Sequence, residues 1–63
     1  MDVGAAIRSS REARGWSKAE LARLAGVTRM TVFNWEARGR RPRRASAERL
    51  EALFGWESGA LDE

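Results

Sequence analysis

The 63-residue chain contains no cysteine and no histidine. Without cysteine, neither a disulfide framework nor a thiolate zinc site can reinforce the fold. Without histidine, the commonest metal ligand and the commonest general base are missing. No run is apolar for long enough to span a bilayer, and the first residues lack the basic-then-apolar pattern of a secretory leader. These absences predict a soluble cytoplasmic chain with no metal, no cofactor and no membrane partner. A fold of this size buries only about 60% of its unfolded surface, which leaves a small core of fewer than about a dozen side chains.

Positive charge is present but uneven. The net charge is +3, and the stretch "RGRRPRR" from Arg38 to Arg44 holds five of the twelve basic residues. The rest of the chain has seven basic residues against nine acidic ones, a net of −2. Arginine concentrated beside a folded element is an anion-binding footprint, and nucleic acid is the usual anion. The alternatives are a solvated loop, a localisation signal or a patch for acidic protein partners. Lys18 is the single lysine. Arginine's planar fork suits phosphates and base edges, although a GC-rich genome gives the same bias.

Apolar periodicity predicts four or five short helices and no strand. A helix over Val3 to Arg14 places Val3, Ala6, Ile7, Ser10 and Ala13 on one face and closes at Gly15. Ser17 followed by Glu20 reads as a capping box, with Trp16 before it to pack on Leu21. The helix from Lys18 buries Leu21, Ala22, Leu24 and Ala25 and stops at Gly26, a residue suited to the left-handed turn that ends a helix. Thr28 then caps a new helix running to about Ala37, with Val32 and Trp35 inward and Arg29, Met30, Phe33 and Asn34 outward. A basic loop over residues 38–45 leads to a fourth helix, from about Ser46 to Phe54, that buries Ala47, Leu50 and Phe54. A short final turn brings Trp56 and Leu61 onto the core. The whole of 1–63 is expected to form one all-α domain.

Two short helices joined through a glycine turn, the second with a polar outer face, describe a helix-turn-helix over residues 17–37. Breaking the chain at Gly26 swings the second helix away from the first. It also gives that helix a free N-terminus, whose positive dipole end suits a phosphate. The combination of "ARG-W-S", "ELA", "AGVT", "TV-NWE" and the basic loop resembles the phage Cro/repressor-type helix-turn-helix family, also called XRE-like. The resemblance extends over Ile7 to about Leu61.

The resemblance implies a lambda-repressor-like fold and a sequence-specific, repressor-type transcriptional regulator of phage or prophage kind that binds double-stranded DNA at the nucleoid. Ser17, Lys18, Thr28 and Thr31 fall at capping or phosphate-binding positions. Arg29, Met30, Phe33 and Asn34 fall on the base-reading face. Arg11 and Glu36 fall where the family places a partly buried ion pair. Arg29 is suited to guanine O6 and N7, Asn34 to adenine N6 and N7, and Met30 and Phe33 to a thymine methyl. The competing roles are a phosphate contact for Arg29, an idle surface position for Met30, and packing of Phe33 on Trp35 or a protein partner. Arg38, Arg40, Arg41, Arg43 and Arg44 are expected to clamp the DNA backbone, one of them entering the minor groove.

Several positions depart from the family pattern. Ser10 and Arg44 stand where leucine is usual, and Arg43 where a capping serine is common. The spacing in "NWEARGRRP" also resembles excisionase and MerR-like winged helices. Ser58 and Ala60, at the family's dimer contact, offer little apolar area, so any homodimer is expected to be weak and helped by DNA. A second functional class is an antitoxin-like interaction module with autoregulatory DNA binding, its partner surface formed by Phe33, Leu53, Trp56 and Leu61. Ser17 and Lys18 are adjacent without a nucleophile–base–orienter set, so the chain is not expected to be an enzyme.

Overall fold

A computed structural model describes residues 2–57 and 59–61. Four helices follow one another: α1 Val3–Ala13, α2 Lys18–Ala25, α3 Arg29–Ala37 and α4 Arg44–Phe54. No strand occurs among the described residues. The fold is all-α.

Local chemistry defines most boundaries. Asp2 caps α1 by accepting the Ala5 N–H at 3.2 Å. Ser17 opens α2 with a complete capping box: its hydroxyl accepts the Glu20 N–H at 3.0 Å, and Glu20 accepts the Ser17 N–H at 2.8 Å. The Ser17 backbone N–H, and after it the Ser17 side chain, favour the ionised carboxylate and hold Glu20 below its ordinary pKa. At Gly26 the backbone turns left-handed (φ 73°), and the Val27 N–H reaches back to the Ala22 carbonyl at 2.9 Å. Only glycine takes that conformation without a Cβ penalty, so the reversal between α2 and α3 is compact. Thr28 restarts the chain as a helix by accepting the Thr31 N–H at 3.2 Å.

The core contains Ile7, Leu21, Ala22, Ala25, Val32, Trp35, Ala47, Leu50, Phe54 and Leu61. Trp16 is half-buried and stacks on Phe54 with ring centroids 6.1 Å apart, while Trp56 meets the same ring at 4.9 Å. Arg14 covers this aromatic edge, lying 5.1 Å from the Phe54 ring and donating to the Phe54 carbonyl. The end of α1 is thereby tied to the end of α4.

Four expectations need correction. The buried stripe of α1 is centred on Gly4, Ile7 and Arg11, with Ala13 exposed. Reading apolar type alone misplaced the stripe, because an arginine is buried there through an ion pair. Leu24 is half-buried rather than buried. Helix α4 starts two residues earlier than Ser46, so Arg44 lies in its first turn and not in the loop. Arg43 is the N-cap and makes no side-chain cap bond; an arginine there carries none of the usual signals of a helix start. Asn34, expected outward with Arg29, Met30 and Phe33, is half-buried because the basic loop folds along its flank. Of the two small residues at the expected dimer contact, Ala60 is exposed and Ser58 lies outside the described residues.

Glu51 is a buried carboxylate with a structural task. Its two oxygens accept the backbone N–H groups of Gly59 and Leu61, each at 3.1 Å, which folds the final turn back so that Leu61 is buried. Removing an acceptor from a buried donor, here the Leu61 N–H, costs about 1–3 kcal/mol. Glu51→Ala is therefore expected to lower stability by about that amount in denaturant melts and to speed amide exchange at Gly59 and Leu61 before the rest of the chain.

Candidate nucleic-acid interface

Helix α3 buries one side and presents the other. Val32 and Trp35 are locked into the core, while Met30 is 64% exposed and Phe33 39% exposed. Two hollows flank the exposed side. The first, of about 570 Å³, is lined by Lys18, Thr28, Arg29, Met30 and Phe33. The second, of about 430 Å³, lies between α3 and the basic loop, where Thr31, Asn34, Arg40, Arg43 and Ser46 meet over Val27 and Trp35. Thr28 borders both, at the N-terminus of α3. Its hydroxyl lies 3.0 Å from that of Thr31, so the two threonines form one polar step beside the positive end of the helix dipole.

The structure thus divides the residues singled out from sequence. Arg29, Met30 and Phe33 share one hollow with Lys18. Asn34 belongs to the other, with Thr31 and the loop arginines. The loop itself is shaped by α3, since the Asn34 carbonyl accepts the N–H groups of both Arg38 and Arg40 at 3.1 Å. Arg40 and Arg43 are exposed and line the second hollow. Arg41 lines it too, but its guanidinium donates to the Leu61 carbonyl at 3.4 Å. Arg38 and Arg44 are exposed outside both hollows, and Arg44 lies 3.7 Å from Glu48 in a solvent-exposed pair. Ser17 is exposed outside both hollows as well, its hydroxyl committed to the cap of α2.

The back of α3 is held by a fork. Arg11 Nε donates to one Glu36 oxygen at 2.8 Å and Nη2 to the other at 3.2 Å, while Nη1 donates to the Trp16 carbonyl at 2.8 Å. The two side chains are 9% and 4% exposed. The hydrogen bonds to Glu36, opposed by burial, raise the Arg11 pKa above its already high ordinary value. The guanidinium is therefore held in its charged form. One side chain joins α1, the entry to α2 and the last turn of α3.

Sequence reasoning passed over three residues. Gly4 approaches the α3 backbone, Glu51 secures the final turn, and Arg14 bridges α1 to α4. Only Glu51 left a signal, because the spacing of Ala47, Leu50, Glu51 and Phe54 puts it on the inward face of α4.

Among the described residues, no group of three or more histidine, cysteine or acidic side chains can hold a metal, and no helix is long and apolar enough to cross a membrane. Residues 7–60 match a family model described as helix-turn-helix. Proteins of Mycobacterium bovis and Mycobacterium tuberculosis named as HTH-type transcriptional regulators are 39% identical over 57 residues, which is 90% of this chain and 22% of theirs. The chain spans about a fifth of the length of these relatives. No solved structure gives a significant match.

Truncating one member of a buried pair strands the other charge. Arg11→Ala is expected to cost about 3–5 kcal/mol, whereas Arg8→Ala, which breaks the exposed pair with Glu12, costs under about 0.5 kcal/mol. Urea melts of the two variants beside the parent measure the difference.

Proposed function

The chain belongs to the helix-turn-helix family of Cro/repressor, XRE-like type, and on that premise we propose that it is a sequence-specific duplex-DNA-binding unit of a transcriptional regulator. In this reading α3 enters the major groove. The supporting observation is the division of α3, with Val32 and Trp35 anchored in the core while Arg29, Met30 and Phe33 stand outward beside a second, arginine-lined hollow. A helix end about 10 Å across fits the roughly 12 Å width of the groove.

The chemistry divides along the same line. Arg29 carries two parallel donors suited to guanine O6 and N7, and the apolar Met30 and Phe33 suit the methyl of thymine. Exposure of two large apolar side chains in one hollow is costly in water, and contact with base edges offsets that cost. Thr28, Thr31 and the N-terminus of α3 suit one phosphate, with Lys18 at the rim. Arg40 and Arg43 suit the backbone on the loop side. Asn34 opens onto that same side, where base reading gives way to backbone contact. Arg38 and Arg44, outside both hollows, serve the approach of the duplex by their field more than by direct contact. We read the regulator as repressor type, since a helix seated in the groove blocks access to that stretch of DNA with no further surface.

Selection of bound sites from random duplexes tests this reading; recovery of no preferred sequence would end it. Once a site is known, Arg29→Ala is expected to cost about 1–3 kcal/mol and to relax preference at one base pair. Arg40→Ala and Arg43→Ala should instead weaken all duplexes alike and reduce the salt slope by about 0.9 for each phosphate no longer neutralised. Fluorescence anisotropy titrations at several salt concentrations read both effects.

A further inference from the structure

We propose that Gly4 is a positioning residue for base reading, because it lets α1 seat directly on the last turn of α3 and so sets the angle at which α3 is presented. The proposal rests on the reading of α3 as the groove-entering helix.

Gly4 is buried in the first turn of α1, and it is not among the glycines with positive φ. Its backbone conformation is therefore open to any residue, and alanine would form the helix better. Space is what requires glycine here. A Cβ at this position would lie 2.5 Å from the Trp35 carbonyl oxygen, 3.0 Å from the Glu36 carbonyl oxygen and 3.3 Å from the Glu36 Cα. All three are backbone atoms of α3, so no side-chain rotation relieves the overlap. An ordinary contact begins at 3.4 Å, which means that α1 and α3 would have to separate by about 1 Å.

The contact is attractive as well as close. The first turn of α1 carries the partly positive end of its dipole, and the last turn of α3 carries partly negative carbonyls. The same turn of α3 is held a second time by the Arg11–Glu36 fork, two turns further along α1. Two fixed points confine α3 to rotation about the line that joins them, where a single point would let it pivot in any direction. Phe33 lies just before the held residues on the same helix as Arg29 and Met30, so a shift at this seat moves the reading face against the bases. Reading groups need placement to within about 0.5 Å, and the expected displacement exceeds that.

The test compares Gly4→Ala with Ala5→Gly in the full chain. Ala5 is the exposed neighbour of Gly4, and its replacement loosens α1 without touching α3. Each variant is titrated with the selected duplex, with single-base variants of it, and with an unrelated duplex. Gly4→Ala is expected to lower the ratio of selected-site to single-base-variant affinity by about tenfold and to change binding to unrelated duplex by less than about twofold. Ala5→Gly is expected to lower the melting temperature by about 4–8 °C and to keep the ratio. Should Gly4→Ala be unfolded at 25 °C, the double variant with Ser9→Ala, an exposed change that favours helix, is measured at 5 °C.

A full ratio in Gly4→Ala, or an equal loss in Ala5→Gly, overturns the proposal. A double variant still unfolded at 5 °C also overturns it, since the seat would then serve folding rather than presentation. If the parent chain itself shows no preference among duplexes, the reading of α3 fails and this inference with it. If the parent discriminates and Gly4→Ala does so equally, only the inference fails.

Discussion

The buried fork between Arg11 and Glu36 is the constraint on which the arrangement of α3 depends. It joins a residue of α1 to the penultimate residue of α3, and the same guanidinium reaches the Trp16 carbonyl just before α2 begins. Desolvating two charges is expensive, and a hydrophobic replacement of similar volume often packs with equal or better stability. Stability alone therefore does not explain its presence. An apolar pair, however, can slide or re-pack by fractions of an ångström, while a bidentate fork has one geometry. A chain that must present a helix in one orientation gains from that directionality.

The core is small, so other local devices share the work of holding the helices. The capping box at Ser17, the threonine cap at Thr28 and the left-handed turn at Gly26 each satisfy backbone groups that a short helix leaves open. Helices of eight and nine residues are too short to persist in water alone. Their caps cut the cost of forming them, and the contact of Val32, Trp35 and Leu21 in the core supplies the rest. This explains how α2 and α3 can be so short and still meet at a defined angle. The final turn, folded back by Glu51, adds Leu61 to a core that would otherwise be open beside α1.

Much of this was legible in the sequence, and the reason differs from place to place. Caps and stops are local, so Ser17 with Glu20, Thr28, Gly26 and Gly55 mark their boundaries within a few residues. The inward positions of α3 followed from period alone. The start of α4 was not legible, because Arg43 caps through its extended backbone without a side-chain bond. The value of Gly4 was not legible either, since it depends on which backbone lies across from it. Asn34 illustrates the same limit: helical period turns it outward, but a loop whose path period cannot specify runs along its flank. Positions decided by a neighbour distant in sequence are the ones that residue patterns miss.

The charge distribution fits the same division between fixed and adaptable parts. Outside the stretch 38–44 the chain carries a net of −2, so its positive field centres on that stretch, three of whose arginines form one wall of the second hollow. A field arranged in this way turns the chain as it nears a polyanion; on the proposed reading the loop side meets the backbone first and α3 follows into the groove. For that order to aid discrimination, the charged wall must keep its place relative to α3. Two contacts hold it there: the Asn34 carbonyl receives the Arg38 and Arg40 N–H groups, and the Arg41 guanidinium bonds to the Leu61 carbonyl, which sits in the turn secured by Glu51. The attraction that carries no sequence information is thus fastened to the helix proposed to read the sequence. On the proposed reading, a loop arginine bound to a phosphate would set the register in which Arg29 meets its base.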